Sequence, residues 1–167
     1  MVMIVQIRRA TEADIPAMRK IFDYGRKLQL ETGNLNQWAK GYPSRELMQE
    51  DILNKAAHVC LGDDEEMIGV FSLFTEPDPT YQEIEGAWLN NQPYATIHRI
   101  ASSGVKKGVG QYCIQWVQKQ FDNVRIDTHK DNQPMKYVLE KLGFVYCGVI
   151  YLENGDPRDA YQYSKHK

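Results

Sequence analysis

The residues best placed to do chemistry are Lys106, Lys107, Gly108 and Gly110 in the hexapeptide Val105-Lys106-Lys107-Gly108-Val109-Gly110. The strand-like run Ala95-Thr96-Ile97-His98-Arg99-Ile100-Ala101 precedes it, and the amphipathic segment Gln111 to Phe121 follows. A strand, a lysine- and glycine-rich turn and a helix together make an anion cradle. Glycines let the backbone come close, the first helical N–H groups have no partner in the helix, and the helix dipole adds partial positive charge. A phosphorylated ligand is therefore expected on this turn, with a plain tight connection as the alternative. Neither common phosphate template fits: a P-loop fails because Val109 follows the second glycine, and a dinucleotide fingerprint starting at Gly108 meets Cys113 where glycine or alanine is needed. Asp127, His129 and Asp131, spaced by two, would share a face if one strand ran through them, but Asp131-Asn132 reads as a helix cap, so no metal is expected. Cys113 reads as a core residue rather than a nucleophile.

The elements that must position these groups follow from periodicity. Val2 to Arg9 alternates as a strand, and Thr11 with Asp14 opens a helix carrying Ile15, Met18, Ile21, Phe22 and Leu28. Thr32 to Pro43 reads as an aromatic loop, and Ser44 starts a second helix with Leu47, Ile52 and Leu53. His58 to Leu61 and Met67 to Thr75 read as two strands joined through Gly62-Asp63-Asp64-Glu65. Pro77 to Pro93 is a long insertion with Tyr81, Glu83, Glu85 and Trp88, and insertions of that length in a compact domain tend to be functional or disordered. Asn123 to Thr128 reads as a strand, Asp131-Asn132-Gln133-Pro134 as a helix start, Met135 to Leu142 as a helix closed by Gly143, and Phe144 to Val149 as a further strand.

This order of strand, Gly-x-Gly turn, helix, strand, Asn132-x-Pro134 helix start and Glu140-Lys141-Leu142-Gly143-Phe144 resembles the GNAT superfamily of N-acetyltransferases, as does the opening Ile7-Arg8-Arg9-Ala10-Thr11-Glu12-Ala13-Asp14-Ile15. The resemblance implies an α/β (α+β) fold: a mixed, mostly antiparallel sheet of six or seven strands flanked by about four helices, in a single domain over residues 1–167. It further implies that the strand ending near Ala101 runs parallel to Val124–Thr128 and diverges from it at the coenzyme. Acetyl-coenzyme A is the implied donor. The backbone of Arg99, Ile100 and Ala101 would hold the pantetheine arm, Val105, Lys106, Lys107, Gly108, Val109, Gly110 and Gln111 the pyrophosphate, and Asn132 would approach the arm or serve as a helix N-cap.

The reaction so implied is direct attack by a primary amine, of a small molecule or a peptide, in a ternary complex. It needs a base, a donor to the developing oxyanion and a proton for the departing thiolate. His98, with an ordinary pKa near neutrality, and Glu83 or Glu85 acting through water are the base candidates; otherwise they are a strand histidine and two loop charges. Trp38, Tyr42, Tyr81 and Trp88 are the acceptor-binding candidates, since aromatic rings with carboxylates suit a cationic amine. Leu139 stands where the family often has a tyrosine acid, and Tyr137 lies on nearly the opposite helix face. That departure keeps a second reading open, an acyl-coenzyme A-binding module without turnover.

Composition agrees with a compact enzyme. The 167 residues are 43% hydrophobic, enough for one core, and 20 Lys plus Arg against 22 Asp plus Glu give a net charge of −2, without the basic excess of nucleic-acid binders. No apolar run approaches the ~18 residues of a membrane span. Cys60, Cys113 and Cys147 lack Cys-x-x-Cys spacing, so a reduced cytoplasmic protein is expected, with a homodimer left open.

Overall fold

A computed structural model describes residues 4–166; Val2 and Met3 of the first expected strand lie outside them. The chain runs β1 (Ile4–Arg9), α1 (Ile15–Glu31), α2 (Arg45–Leu53), β2 (Ala57–Gly62), β3 (Met67–Phe74), β4 (Glu85–Gly86), β5 (Ala95–Ser102), α3 (Val109–Gln118), β6 (Asn123–Thr128), α4 (Gln133–Lys141), β7 (Val145–Tyr151) and β8 (Pro157–Ser164). The strands form one sheet in the order β1-β2-β3-β5-β6-β8-β7-β4, in which only β5 and β6 are parallel. The mixed α/β architecture is as expected, with eight strands rather than six or seven among the described residues. The additions are the two-residue β4 from the long insertion and the C-terminal β8. Buried polar Arg158, Gln162 and Ser164 break the apolar alternation that would mark β8 as a strand.

Both sheet faces are covered. On one, α1 turns Ile15, Met18, Ile21 and Phe22, at helical spacing, onto Val59, Leu61 and Val70. The Thr11 N–H donates to Asp14 Oδ2 at 2.7 Å, and Arg8 pairs with the same carboxylate at 2.8 Å, so the entry to this helix is pinned to β1. On the other face α3 and α4 bury Val109, Ile114, Val117 and Leu139 against Phe71, Ile97 and Ile126. Leu139 is fully buried and Tyr137 is exposed, as the helix phase requires.

The feature that matters for function is the seam between β5 and β6. Their pairing covers only Ala95–Val124 and Thr96–Arg125, and beyond it they separate. On its other edge β5 pairs Ala101 with Val70 and His98 with Ser72, so three steps along β5 oppose two along β3. This is a β-bulge, with Arg99 at φ 53°, and bulges re-aim side chains at functional sites. A buried ion pair holds it: Arg99 Nε and Nη2 each donate to Asp51 of α2 at 2.8 Å, and Ser72 Oγ donates to Asp51 Oδ2 at 2.7 Å.

Candidate functional site

Two connected cavities occupy the gap opened by the splay. The larger, about 640 Å³, lies between Ile97–Ile100 of β5, Ile126–Thr128 of β6 and the loop carrying Trp38 and Tyr42. The smaller, about 200 Å³, is walled by Ile100, Ala101 and Ser102, by Gly110 of α3, and by Asn132, Pro134 and Met135 at the start of α4. Gln29, Trp38, Ile100, Asn132 and Met135 line both.

At the smaller end stands the expected turn. Gly108 caps α3 with φ 83°, a conformation L-residues adopt at a cost, and no side chain caps the helix there. A Cβ built on Gly108 or Gly110 would meet nothing within 4 Å, so the turn is open at both glycines, and Gly110 borders the smaller cavity. Val109 turns its side chain into the core and leaves only its backbone to the cradle. Val105 and Lys107 are exposed, Lys106 and Gln111 half-buried. Asn132 caps α4 by accepting from Met135 N at 3.2 Å and donates through Nδ2 to Gln37 Oε1 at 3.1 Å. Gln29 Oε1 is buried where the cavities meet and has no hydrogen-bond partner. An unfilled acceptor in a groove bordered by strand backbone fits a ligand bearing amide N–H groups, and an open turn at a helix start without a side-chain cap fits its phosphates. The coenzyme arm and pyrophosphate thus match what the groove offers.

At the larger end His98 is the centre. Its Nε2 lies 2.7 Å from Asp78 Oδ2 and its Nδ1 lies 3.9 Å from Asp127 Oδ2. Burial alone would raise the Asp78 pKa, but hydrogen bonds from His98 and Thr80 outweigh it and hold the carboxyl down at about 2. An ionised Asp78 can only accept, so Nε2 carries a hydrogen, and in the neutral imidazole Nδ1 is then the ring nitrogen with the lone pair. Asp127 in turn accepts from the Tyr81 hydroxyl at 2.6 Å. Burial, with the Asp127 charge second, pushes that phenol well above its usual pKa, so Tyr81 stays a neutral donor.

This network has a stability consequence with a definite sign. The folded pKa of Asp78 lies below its ordinary 3.8, so its contribution is fully present above about pH 4 and is lost as pH falls through about 2. Between those limits, urea titrations should show wild type losing about 2 kcal/mol more than Asp78→Asn. Equal losses would mean that the Asp78 contacts contribute nothing to folding.

Several sequence expectations are corrected. Glu83 and Glu85 are not among the residues that line the cleft: both are exposed, and Glu85 lies on β4, four strands from β5, where it accepts from the Tyr151 hydroxyl. Tyr81 is fully buried and braces Asp127 instead of touching an acceptor. Trp88 packs on the Arg125 guanidinium at 4.2 Å, with Tyr94 at 4.1 Å on that cation, and its Nε1 donates to the Tyr81 carbonyl. The Arg99 side chain is tied to Asp51 of α2, and its Nη1 reaches the hydroxyl of the cleft residue Tyr42 at 3.5 Å. Trp38, Tyr42, His98, Ile100 and Asn132 do line the cleft. Sequence reasoning missed Gln29, Gln37, Asp78 and Arg158. Only Asp78 carried a local signal, as the residue before Pro79 capping a turn through Thr80. Among the described residues no group of three or more His, Cys, Asp or Glu could hold a metal, and no helix is long and apolar enough to cross a membrane.

A family model for the acetyltransferase (GNAT) domain matches residues 5–145. Among solved structures, a GNAT-family acetyltransferase from Streptococcus agalactiae 2603 is 34% identical, with TM-score 0.85 over 97% of this chain and 96% of that one. A GNAT-family acetyltransferase from Listeria monocytogenes 4b F2365 is 17% identical, with TM-score 0.70 over 95% and 94%. The ribosomal-protein-alanine N-acetyltransferase from Brucella melitensis is 15% identical, with TM-score 0.66 over 96% and 99%. No curated relative matches the chain.

Proposed function

Since the chain belongs to the GNAT acetyltransferase family, we propose that it transfers an acetyl group from acetyl-coenzyme A to a primary amine by direct attack in a ternary complex. The observation that carries this reading is the His98–Asp78 pair at 2.7 Å, opening Nδ1 into the cleft beside the β5–β6 splay. An acceptor amine between Nδ1 and Asp127 would be held by the carboxylate and would lose its proton to the imidazole, in the order acid–base catalysis requires. The coenzyme supplies an activated acetyl thioester when bound. Backbone N–H groups at the bulge around Arg99 and Ile100 are the donors on offer to the developing oxyanion, because the bulge takes them out of regular pairing. Tyr42, whose hydroxyl lies 3.5 Å from Arg99 Nη1, is a cleft tyrosine suited to protonate the departing thiolate.

The single domain over residues 1–167 would act in the cytoplasm, a reading supported by Cys60, Cys113 and Cys147 all being free. The buried Leu139 favours the competing reading, a coenzyme-binding module without turnover, because α4 then offers no acid. Calorimetry with acetyl-coenzyme A tests the donor, and thiol release with a panel of primary amines tests the reaction. Binding without release from any amine would make the protein a sensor.

The cradle makes its own prediction. Gly110→Val is expected to weaken acetyl-coenzyme A binding at least tenfold, because the new side chain fills open space on the wall of the smaller cavity at the start of α3. Lys107→Ala is expected to change it less than about fivefold, since an exposed charge contributes about 1 kcal/mol or less. If calorimetry finds the lysine variant the weaker binder, side-chain charge and not backbone holds the phosphates.

A further inference from the structure

We propose that the acceptor is a zwitterion, an amine that also bears a carboxylate, and that Arg158 is the residue that selects it by binding the carboxylate. The inference rests on the amine-transfer reading above and deepens it. Arg158 lies at the start of β8, is only 7% exposed, and lines the larger cavity. Its Nη1 donates to the neighbouring Pro157 carbonyl at 2.9 Å and its Nη2 to the Gln37 carbonyl at 3.4 Å. A guanidinium has five N–H donors, so most of this one's capacity is not used by the protein. Among the described residues no carboxylate lies within 4.0 Å of it, unlike Arg99, and no aromatic ring stacks on it as Trp88 and Tyr94 do on the buried Arg125. A buried cation without a counter-ion is costly, and a ligand that brings the anion removes the cost. The planar fork of donors matches a carboxylate with two parallel hydrogen bonds.

The rest of the cavity complements this end. Arg26 also borders it and donates through Nε to the Trp38 carbonyl at 3.2 Å. Asp78 and Asp127 sit beside His98, and Arg26 and Arg158 line the same cavity; Asp156, also on its wall, is exposed and makes no ion pair with Arg158. A polyamine or aminoglycoside would set positive charge against a buried guanidinium. An amino acid or a close analogue satisfies both ends.

The test uses the wild-type protein with matched acceptors that share a side chain: the amino acid, its amide and its decarboxylated amine, in α-, β- and γ-amino series. Thiol release gives kcat and KM for each. In at least one series the acid should exceed both neutral-end partners by about tenfold to a hundredfold in kcat/KM, mostly through KM, as expected for a charge-assisted bidentate contact. Arg158→Gln should reduce that preference to within about threefold, and Arg158→Lys should retain part of it, with acetyl-coenzyme A affinity and melting temperature reporting that the fold is intact. Decarboxylated amines or amides used as well as the acids by wild type would overturn the inference while leaving amine transfer standing, as would a preference undiminished in Arg158→Gln. No release from any amine would overturn the transfer reading and this inference together. Should Arg158→Gln not fold, the wild-type series and the lysine variant decide.

Discussion

His98→Ala is expected to lower kcat about a hundredfold or more while leaving acetyl-coenzyme A affinity within about twofold of wild type. The magnitude is that of a positioned general base. The sparing of coenzyme affinity follows from geometry: His98 lines the larger cavity and is not part of the wall around Ile100, Ala101, Gly110 and Asn132. Asp78→Ala should reproduce much of the loss without touching an acceptor atom, because it frees Nε2 and with it the tautomer that presents Nδ1 to the amine. Glu85→Gln should be nearly neutral, since Glu85 sits on the far edge of the sheet, where its carboxylate accepts from the Tyr151 hydroxyl. Steady-state thiol release on the three variants decides the matter. If His98→Ala keeps more than a third of wild-type turnover, or if Glu85→Gln is the more damaged protein, the base lies elsewhere.

Asp51→Ala carries the largest expected loss of stability, about 3 kcal/mol in urea titration. Removing one member of a buried ion pair leaves the other uncompensated, and that penalty exceeds what the intact pair contributes. Here the survivor would be the Arg99 guanidinium, with the Ser72 hydroxyl also losing its acceptor. The consequence reaches the site. Arg99 holds φ 53°, a conformation costly for a residue with a side chain, and the Asp51 contact is what fixes that residue against α2. Coenzyme affinity is therefore expected to fall with stability, although Asp51 borders neither cavity. A destabilisation below 1 kcal/mol, or an unaltered affinity in a folded variant, would show that the bulge is held by the sheet alone.

What could be read from the chain were features whose partners lie within a few residues. The Thr11–Asp14 helix start, the Asn132 cap on Met135 and the Gly108 turn each depend on contacts one helical turn long, and their spacing records them directly. The order of strands and helices followed from periodicity wherever one face is apolar, which is why the buried polar residues of β8 concealed that strand. The site is different in kind. His98 meets Asp78 across 20 residues, Arg99 meets Asp51 across 48, Asn132 meets Gln37 across 95 and Arg158 meets Gln37 across 121. No local pattern carries such pairings, because they arise only when sheet order, a bulge in β5 and the divergence of β5 from β6 bring those segments together. The same sheet order removed Glu85 from contention: in sequence it lies 13 residues from His98, and in space four strands away. The order of motifs along the chain thus carried the resemblance to the family and the expectation of an anion cradle, while the β5–β6 splay decided which acids, bases and cations line the cleft.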